Sequence, residues 1–368
     1  MIKNVIINSN PYGLSVGGVE SYTAHIYKYF DEKYKLYLFP SANVLKTDLQ
    51  YYTKYNFNIN LKNKIFPATC FTKGLYIGVS HNADPPKSKP AIHIVHFPER
   101  KQFKRKRFRK NLFLLFAEFL KNKEEVNMDK KYRSAYSYYL CNSKFTASYF
   151  KESYPDIAAN KIKVVYPPVK LFENILRPRK PQIVVFSRMT VDKKIDILIN
   201  TFCTIFSKTD VKLFVMGAAN TDSEIQYLDC LKKIIDNGIN IEFCTNPDRS
   251  KVAEILSESR IFWHAKGFGE YNPHMFEHFG ITTVEVMSAG LIPIVIDKGG
   301  QKEIVDHKIN GFKWDTINCL VKYTKYVLEF SDERFTEMSL RASEKARLFS
   351  EEHFQNSFGK IIQELGHI

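Results

Sequence analysis

The sequence predicts an α/β protein built from two doubly wound domains, each a parallel sheet covered by helices. Three observations lead there. Short apolar segments alternate with helix-patterned segments in two successive series. The apolar segments are almost free of polar interruption, as strands buried on both faces require. The chain has 368 residues with 44% hydrophobic content, enough for two sizeable cores.

The first series opens on the strand Val5–Ile7, a polar Gly/Pro turn through Gly18, and a helix from Val19 to Phe30. Strands follow at Lys35–Phe39 and Ile92–Phe97. Within Ala135–Phe150, Cys141-Asn142-Ser143 reads as a strand end leading through Ser143 or Thr146 into a helix. Ile162–Tyr166 is a further strand, stopped by Pro167-Pro168. The second series follows the basic, Pro-containing segment Arg177–Pro181. It predicts strands at Ile183–Phe186, Val211–Met216, Ile239–Phe243, Arg260–His264 and Leu291–Ile296. Helices are expected between them at Ile195–Phe206, Glu224–Asn237, Ser250–Ser259 and Thr282–Ala289, several closed by glycine. The boundary falls near residues 170–180, and a cleft between the domains, beyond the strand carboxyl ends, is the expected site.

Composition excludes several classes. Six cysteines without a C-x-x-C pair suit scattered thiols, not a disulfide framework or a closed zinc site. The opening MIKNVIINSN is polar-interrupted and strand-like, unlike a signal peptide. No run approaches the roughly 18 apolar residues that span a bilayer. Neither half carries G-x-G-x-x-G or G-x-x-x-x-G-K-S/T, which argues against a nicotinamide dehydrogenase or a P-loop ATPase.

Lys and Arg number 54 against 39 Asp and Glu, a formal charge of +15. Eight basic residues and no acid lie between Arg100 and Lys110, directly before Leu112–Phe116 and Phe119-Leu120. A basic block beside a short bulky apolar helix fits attachment to an anionic membrane surface over Arg100–Leu120. A solvated loop before an ordinary core helix is the plainer alternative. Nucleic acid is the minor reading, because no zinc finger, KH or RRM motif supports it.

Three local features suit a nucleotide-linked substrate. The first is Gly13–Glu20, where Gly17 and Gly18 precede a helix whose N–H groups can meet an anion. The second is Ser187–Lys194. Arg188 leaves a strand end, and Lys193 stands near a helix start, where the helix dipole disfavours a cation unless an anion is shared. A planar Arg fork and a Lys point charge together suit a diphosphate. Lys194 is a rival for Lys193. The third is Glu277–Gly290. Thr282 with Glu285 would make a capping box, the plainer explanation of Glu285. Glu277 has no such role, lying on a loop after the strand Ile261–Trp263. Both carboxylates are expected to be ionised acceptors for sugar hydroxyls, with Phe279-Gly280-Ile281 bringing N–H groups to a phosphate.

The E-x7-E spacing of Glu277 and Glu285 inside EHFGITTVEVMSAG resembles the signature of the family 4, or group 1, retaining glycosyltransferases. Pro293-Ile294-Val295, Gly299-Gly300 and Glu303-Ile304-Val305 continue the resemblance. So do Gly17-Gly18, Arg188 with Lys193, and Asn142-Ser143 with Val164–Val169, in order over about residues 5 to 310. EHFGI, VVYPP and His-Phe-Pro are most similar to the branch of lipid-linked-oligosaccharide mannosyltransferases. WHAKGFGE at Trp263–Glu270 also looks like bacterial group 1 transferases. One departure is Ser187, where members often carry glycine before the arginine.

The resemblance implies the GT-B architecture, two Rossmann-like domains facing across a cleft. Residues 1–172 would form the acceptor-side domain and 173–368 the nucleotide-sugar domain, with the last helix packing back on the first. It implies that Glu277 contacts the transferred sugar and Glu285 the ribose. Arg188 and Lys193 would hold the diphosphate, with Phe279, Gly280 and Ile281 on the phosphate side and Gly17 and Gly18 at the cleft. His96 resembles the histidine near sugar and acceptor. His93, read as sharing its strand face, leaves the choice between them open, and a structural role for His96 is the alternative. The implied reaction is retaining hexosyl transfer from a nucleoside-diphosphate sugar, GDP-mannose slightly ahead of UDP-hexoses, with no cofactor and no metal, in keeping with the lack of a D-x-D pair. The implied acceptor is a lipid-linked or polysaccharide-precursor glycan. The location follows as cytoplasmic, on the membrane's cytoplasmic face. A soluble transferase with a small-molecule, protein or nucleic-acid acceptor would share every donor residue.

Overall fold

The computed structural model describes residues 4–8, 18–30, 34–39, 74–79, 86, 88–98, 135–235 and 238–366. Gly17 and the whole Arg100–Leu120 segment lie outside them, so those two expectations have no structural counterpart here. The chain divides into two units, residues 1–167 with 354–368, and residues 168–353. The passage between Pro167 and Pro168 falls slightly before the 172/173 division read from the sequence.

The first unit holds β1 (Asn4–Asn8), α1 (Gly18–Phe30), β2 (Lys35–Phe39), β3 (Leu75–Gly78), β4 (Ala91–Val95), β5 (Tyr138–Cys141), α2 (Lys144–Ser153) and β6 (Ile162–Val164). The strands form one parallel sheet in the order β2-β1-β3-β4-β5-β6. Ser143 caps α2 by accepting from the Thr146 N–H, so the sequence-marked strand end does lead directly into a helix. The strand β3 carries too short an apolar run to stand out in the sequence. Val5, Ile7, Tyr22, Ile26 and Phe30 form the core of this unit with Phe354, Phe358 and Ile362. The last three come from α10 (Glu351–Gly366), whose apolar stripe repeats at helical spacing.

The second unit contains β7 (Lys180–Phe186), α3 (Ile195–Phe206), β8 (Lys212–Gly217), α4 (Asp222–Lys233), β9 (Ile241–Thr245), α5 (Arg249–Glu258) and β10 (Ser259–His264). It continues through α6 (Ile281–Ser288), β11 (Ile292–Ile296), α7 (Gln301–Ile304), β12 (Phe312–Trp314), α8 (Ile317–Leu328) and α9 (Asp332–Arg347). Its parallel sheet runs β12-β11-β10-β7-β8-β9. Taking β7 as the first strand, this is the doubly wound order 3-2-1-4-5-6, with the direction of winding reversing between β7 and β10. Ile183, Val185, Ile261, Trp263, Ile294 and Trp314 fill the core. Both indoles are satisfied there: Trp263 Nε1 donates to Thr324 Oγ1 at 2.9 Å and Trp314 Nε1 to the His264 carbonyl at 3.2 Å.

Such a reversal leaves a crevice at the carboxyl ends of the two central strands, because their following segments run to opposite faces. In this unit those segments begin at Ser187 after β7 and at Ala265 after β10. They carry Arg188 and Lys193 on one side and Glu277 on the other.

Candidate functional site

The two segments are tied together by three ion pairs. Lys193 Nζ donates to Glu277 Oε2 at 2.7 Å, Lys194 Nζ to Glu270 Oε1 at 2.7 Å, and Lys266 Nζ lies 3.2 Å from Asp192 Oδ2. The backbone explains how neighbouring lysines reach different partners. Val191–Lys193 form a single 3-10 turn, and Lys194 takes a left-handed conformation, φ 57°, before α3 begins. Consecutive side chains therefore diverge. Lys193 thus meets the glutamate singled out in the sequence, while its rival Lys194 holds the β10 loop through Glu270. That loop is pinned again by Lys298, whose Nζ donates to the carbonyls of Gly267 at 3.1 Å and Glu270 at 2.5 Å.

Glu277 is half-buried on its loop. Burial alone would push its carboxyl up, but Lys193, His264 and Lys266 outweigh this and hold it well below the usual carboxylate range. His264 ends β10 with Nε2 at 3.5 Å from Glu277 Oε2. Burial is the largest influence on that imidazole and pushes it down, so it is neutral at neutral pH. Sequence reasoning passed over His264, Lys266, Asp192 and Glu270. The conspicuous WHAKGFGE run, which holds three of the four, was the available signal.

The loop from Phe276 to Gly280 lies against Gly299 and Gly300 with no room for side chains. The Gly300 N–H donates to the Glu277 carbonyl at 2.8 Å, and a Cβ on Gly300 would come within 2.5 Å of the His278 carbonyl oxygen. Gly280, φ 124°, turns the chain into α6, and a Cβ there would meet Gln301 Nε2 at 2.7 Å. Phe279 is buried against Phe349. Gly280 is the N-cap of α6 and supplies no side-chain bond, so Thr282 stands inside the helix. The capping box expected for Thr282 and Glu285 is therefore absent: the helix starts earlier than the sequence suggested. Glu285 gains a different partner, with Oε1 at 3.6 Å from Arg249 Nη1. Burial pushes the Glu285 carboxyl up to about 7, against the pull of Arg249. Two permanently ionised acceptors were expected; only Glu277 is one.

Arg188 is exposed at the end of β7. No ion pair joins it to Glu277 among the described residues. Its charge acts on Glu224 at the start of α4, helping backbone N–H donors lower that carboxyl. The structure thus brings Lys193, Glu277, Phe279, Gly280 and Ile281 to one locality and leaves Arg188 on the β8 side of the same strand end.

In the first unit, Gly18 is the first residue of α1, and His96 follows β4 directly. His93 and His96 are three residues apart, so strand alternation sends them to opposite faces, correcting the reading that they share one. The His93 ring lies 4.9 Å from Tyr136, whereas His96 meets Tyr22 edge-on at 5.7 Å.

Residues 169–348 match the family model described as glycosyl transferases group 1. Among curated proteins, the chain is 26% identical over 245 residues to "GDP-Man:Man(3)GlcNAc(2)-PP-Dol alpha-1,2-mannosyltransferase" of Dictyostelium discoideum, covering 61% of this chain and 47% of that one. It is 23% identical over 305 residues to human "Alpha-1,3/1,6-mannosyltransferase ALG2", covering 76% and 69%. The chain spans about half the length of the first of these relatives. Among solved structures, Anabaena Alr3699/HepE in complex with UDP superposes with a TM-score of 0.70 at 16% identity, over 99% of this chain and 100% of that chain. Sucrose-phosphate synthase from Thermosynechococcus elongatus gives 0.66 at 12% identity, over 99% of each. These likenesses and the two parallel sheets establish the GT-B fold, with two Rossmann-like units. Through residues 169–348, the chain is similar to the group 1 glycosyl transferases.

Proposed function

We propose that the protein transfers a hexose, mannose from GDP-mannose first among candidates, to a lipid-linked or polysaccharide-precursor glycan, with retention at the anomeric carbon. The observation that carries this reading is the Lys193–Glu277 pair at the reversal point of the second sheet. The relatives named for GDP-Man and for a dolichol-linked glycan support the choice of donor and acceptor.

As the bond from sugar to diphosphate breaks, negative charge grows on the leaving phosphates. Lys193, Arg188 and the N–H groups at the start of α6 stabilise it, the kind of contribution that dominates many enzymes. The sugar gains oxocarbenium character, and Glu277, kept ionised by Lys193, accepts from its hydroxyls and fixes its orientation. Glu277 acts as an orienting group, not as a covalent nucleophile. In this reading the departing phosphate takes the proton of the acceptor hydroxyl. Glu285 holds the ribose, while Gly17, Gly18 and His96 of the first unit serve the sugar and acceptor side. Neither a metal ion nor another cofactor enters the reaction.

The basic and apolar segment Arg100–Leu120 belongs to this reading as the contact with an anionic membrane that carries the acceptor, on its cytoplasmic face. No helix among the described residues is long and apolar enough to cross a membrane.

A panel of nucleotide sugars offered with a lipid-linked sugar extract, scored by product mass, tests the reaction. Product gaining one hexose is expected, and Glu277→Ala and Arg188→Ala should each abolish it. Full activity in both variants would overturn the site assignment. Flotation with vesicles containing anionic lipid tests the surface contact, which fails if neutralising Lys104–Lys110 leaves binding unchanged.

A further inference from the structure

Arg249 is held more firmly than a surface arginine needs to be. It is the first residue of α5, where the helix dipole disfavours a cation. Its Nη2 donates to the carbonyl oxygens of Lys170 at 2.7 Å and Leu171 at 3.0 Å. The guanidinium lies over the Phe172 ring at 3.8 Å, and Nη1 faces Glu285. Such a combination of stacking and forked donation is available to a planar guanidinium and not to an ammonium.

The same segment is fastened to the helix that carries Glu285. The Phe172 N–H donates to Ser288 Oγ at 2.8 Å, and Ser288 Oγ donates to the Glu285 carbonyl at 2.6 Å. Residues 170–172, Arg249 and α6 therefore form a closed ring of contacts with the Glu285 carboxyl inside it. Oε1 is the oxygen nearest the arginine, at 3.6 Å from Nη1. The Glu285 side chain keeps 18% exposure and that of Arg249 39%, so the pair can still be reached from solvent.

We propose that Arg249 is the positioning residue that aims Glu285 Oε2 at a vicinal diol, and so makes the protein select nucleoside diphosphates with an intact ribose. This rests on the reading of the second unit as the nucleotide-sugar unit. Arg249 itself does not touch the diol. It neutralises one oxygen of a carboxylate in a poorly solvated place and restricts its rotation, leaving the other oxygen as acceptor. Hydrogen bonds to a charged acceptor discriminate strongly against a ligand that lacks the donor, because the acceptor is then left unpaired.

The test titrates the full-length protein with GDP and UDP and with their 2′,3′-dideoxy forms, by calorimetry. In the unaltered protein the diol form should bind about 10- to 100-fold more tightly, the range expected of hydrogen bonds to a charged group. Arg249→Met should reduce that preference to less than about 3-fold by weakening the diol form alone, with dideoxy binding unchanged. Arg249→Lys, which keeps the charge but not the fork, should fall between. Glu285→Gln should lose the preference, and adding Arg249→Met to it should cause no further loss.

An unchanged preference in Arg249→Met overturns the proposal, as does equal weakening of both ligand forms, the signature of a merely structural role. If Arg249→Met does not fold, Arg249→Lys decides, and a preference equal to that of the unaltered protein overturns the proposal. Absence of any diol preference in the unaltered protein also overturns it. Failure of that protein to bind any nucleoside diphosphate would instead sink the reading of the second unit.

Discussion

Lys193 and Glu277 stand 84 residues apart in the chain, yet their charged atoms meet at 2.7 Å. The contact is made by the segments that leave β7 and β10, the two strands between which the sheet reverses direction. A half-buried ion pair is a poor device for stability, because desolvation offsets most of the attraction. Its function is better sought in what the pair presents to a substrate. Lys193→Met should lower transfer by about 10²- to 10³-fold, the range for loss of one preorganised charge stabiliser. It should also destabilise the fold by leaving Glu277 buried without its cation. Adding Glu277→Gln should restore the melting temperature and not the activity. Thermal melts and initial rates on the three variants check this, and recovery of both together would show that the pair is only structural.

Gly280 offers an independent handle on the phosphate-side loop. Its φ of 124° is unfavourable for any side chain, and Gln301, which a Cβ would strike, is fully buried. Gly280→Ala should therefore cost about 1–3 kcal/mol of stability, the usual range for a residue forced into such backbone geometry. The start of α6 would shift with it, so binding of a nucleoside diphosphate should weaken more than about tenfold. Denaturant unfolding and calorimetric titration measure the two effects. A variant as stable as the parent, with unaltered binding, would contradict the role given to this turn.

The alternation of strands and helices was legible because parallel strands buried on both faces leave continuous apolar runs, as at Ile183–Phe186 and Leu291–Ile296. β3 escaped notice because Leu75–Gly78 is only four residues long and ends on glycine. The site was legible where a residue lacked a local reason for its position. Glu277 has no helix to cap, and Lys193 stands against the helix dipole. Glu285 was open to misreading because its apparent capping partner, Thr282, depends on where α6 starts. A two-residue change in that start decides whether Thr282 is a cap. Lys266 could not be assigned to the site from its neighbours, since its contact with Asp192 crosses between two strand ends, and His264 meets Glu277 only because the loop after β10 folds back on the strand end. Arg188 shows the opposite limit: its sequence position was suggestive, but the direction of its exposed side chain depends on β8 and α4.

Acid should weaken the second unit through His278. Burial pushes this imidazole down to about 4, against an ordinary value of 6.5. Between those values the unfolded chain binds the proton more readily, so stability falls as pH drops from about 6.5 towards 4. The full effect of the shift is on the order of 3 kcal/mol. His278→Asn, which cannot take up the proton, should flatten that part of the stability curve. Urea midpoints at intervals between pH 7 and pH 4 would show it; identical slopes for variant and parent would refute the assignment.

Glu285 carries the opposite sign. Its carboxyl titrates at about 7 in the folded protein, above the ordinary 4.5, with Arg249 as the charged group acting on it. The folded state therefore keeps a proton that the unfolded chain has released. The stabilisation this gives is fully present below about pH 4.5 and is lost as pH rises through 7. Glu285→Gln removes the titration while keeping a neutral side chain of similar shape. It should therefore leave stability near pH 4.5 almost unchanged and raise it at pH 8 by on the order of 3 kcal/mol. Binding moves the other way, because only the ionised carboxyl is an acceptor at both oxygens. Affinity of the unaltered protein for a nucleoside diphosphate should rise between pH 6 and 8, while that of Glu285→Gln should be weak and flat. Paired melts and titrations at pH 5, 6, 7 and 8 separate the two trends. A variant less stable than its parent at pH 8 would show that the buried carboxylate is not strained there, and that Arg249 compensates its charge in full.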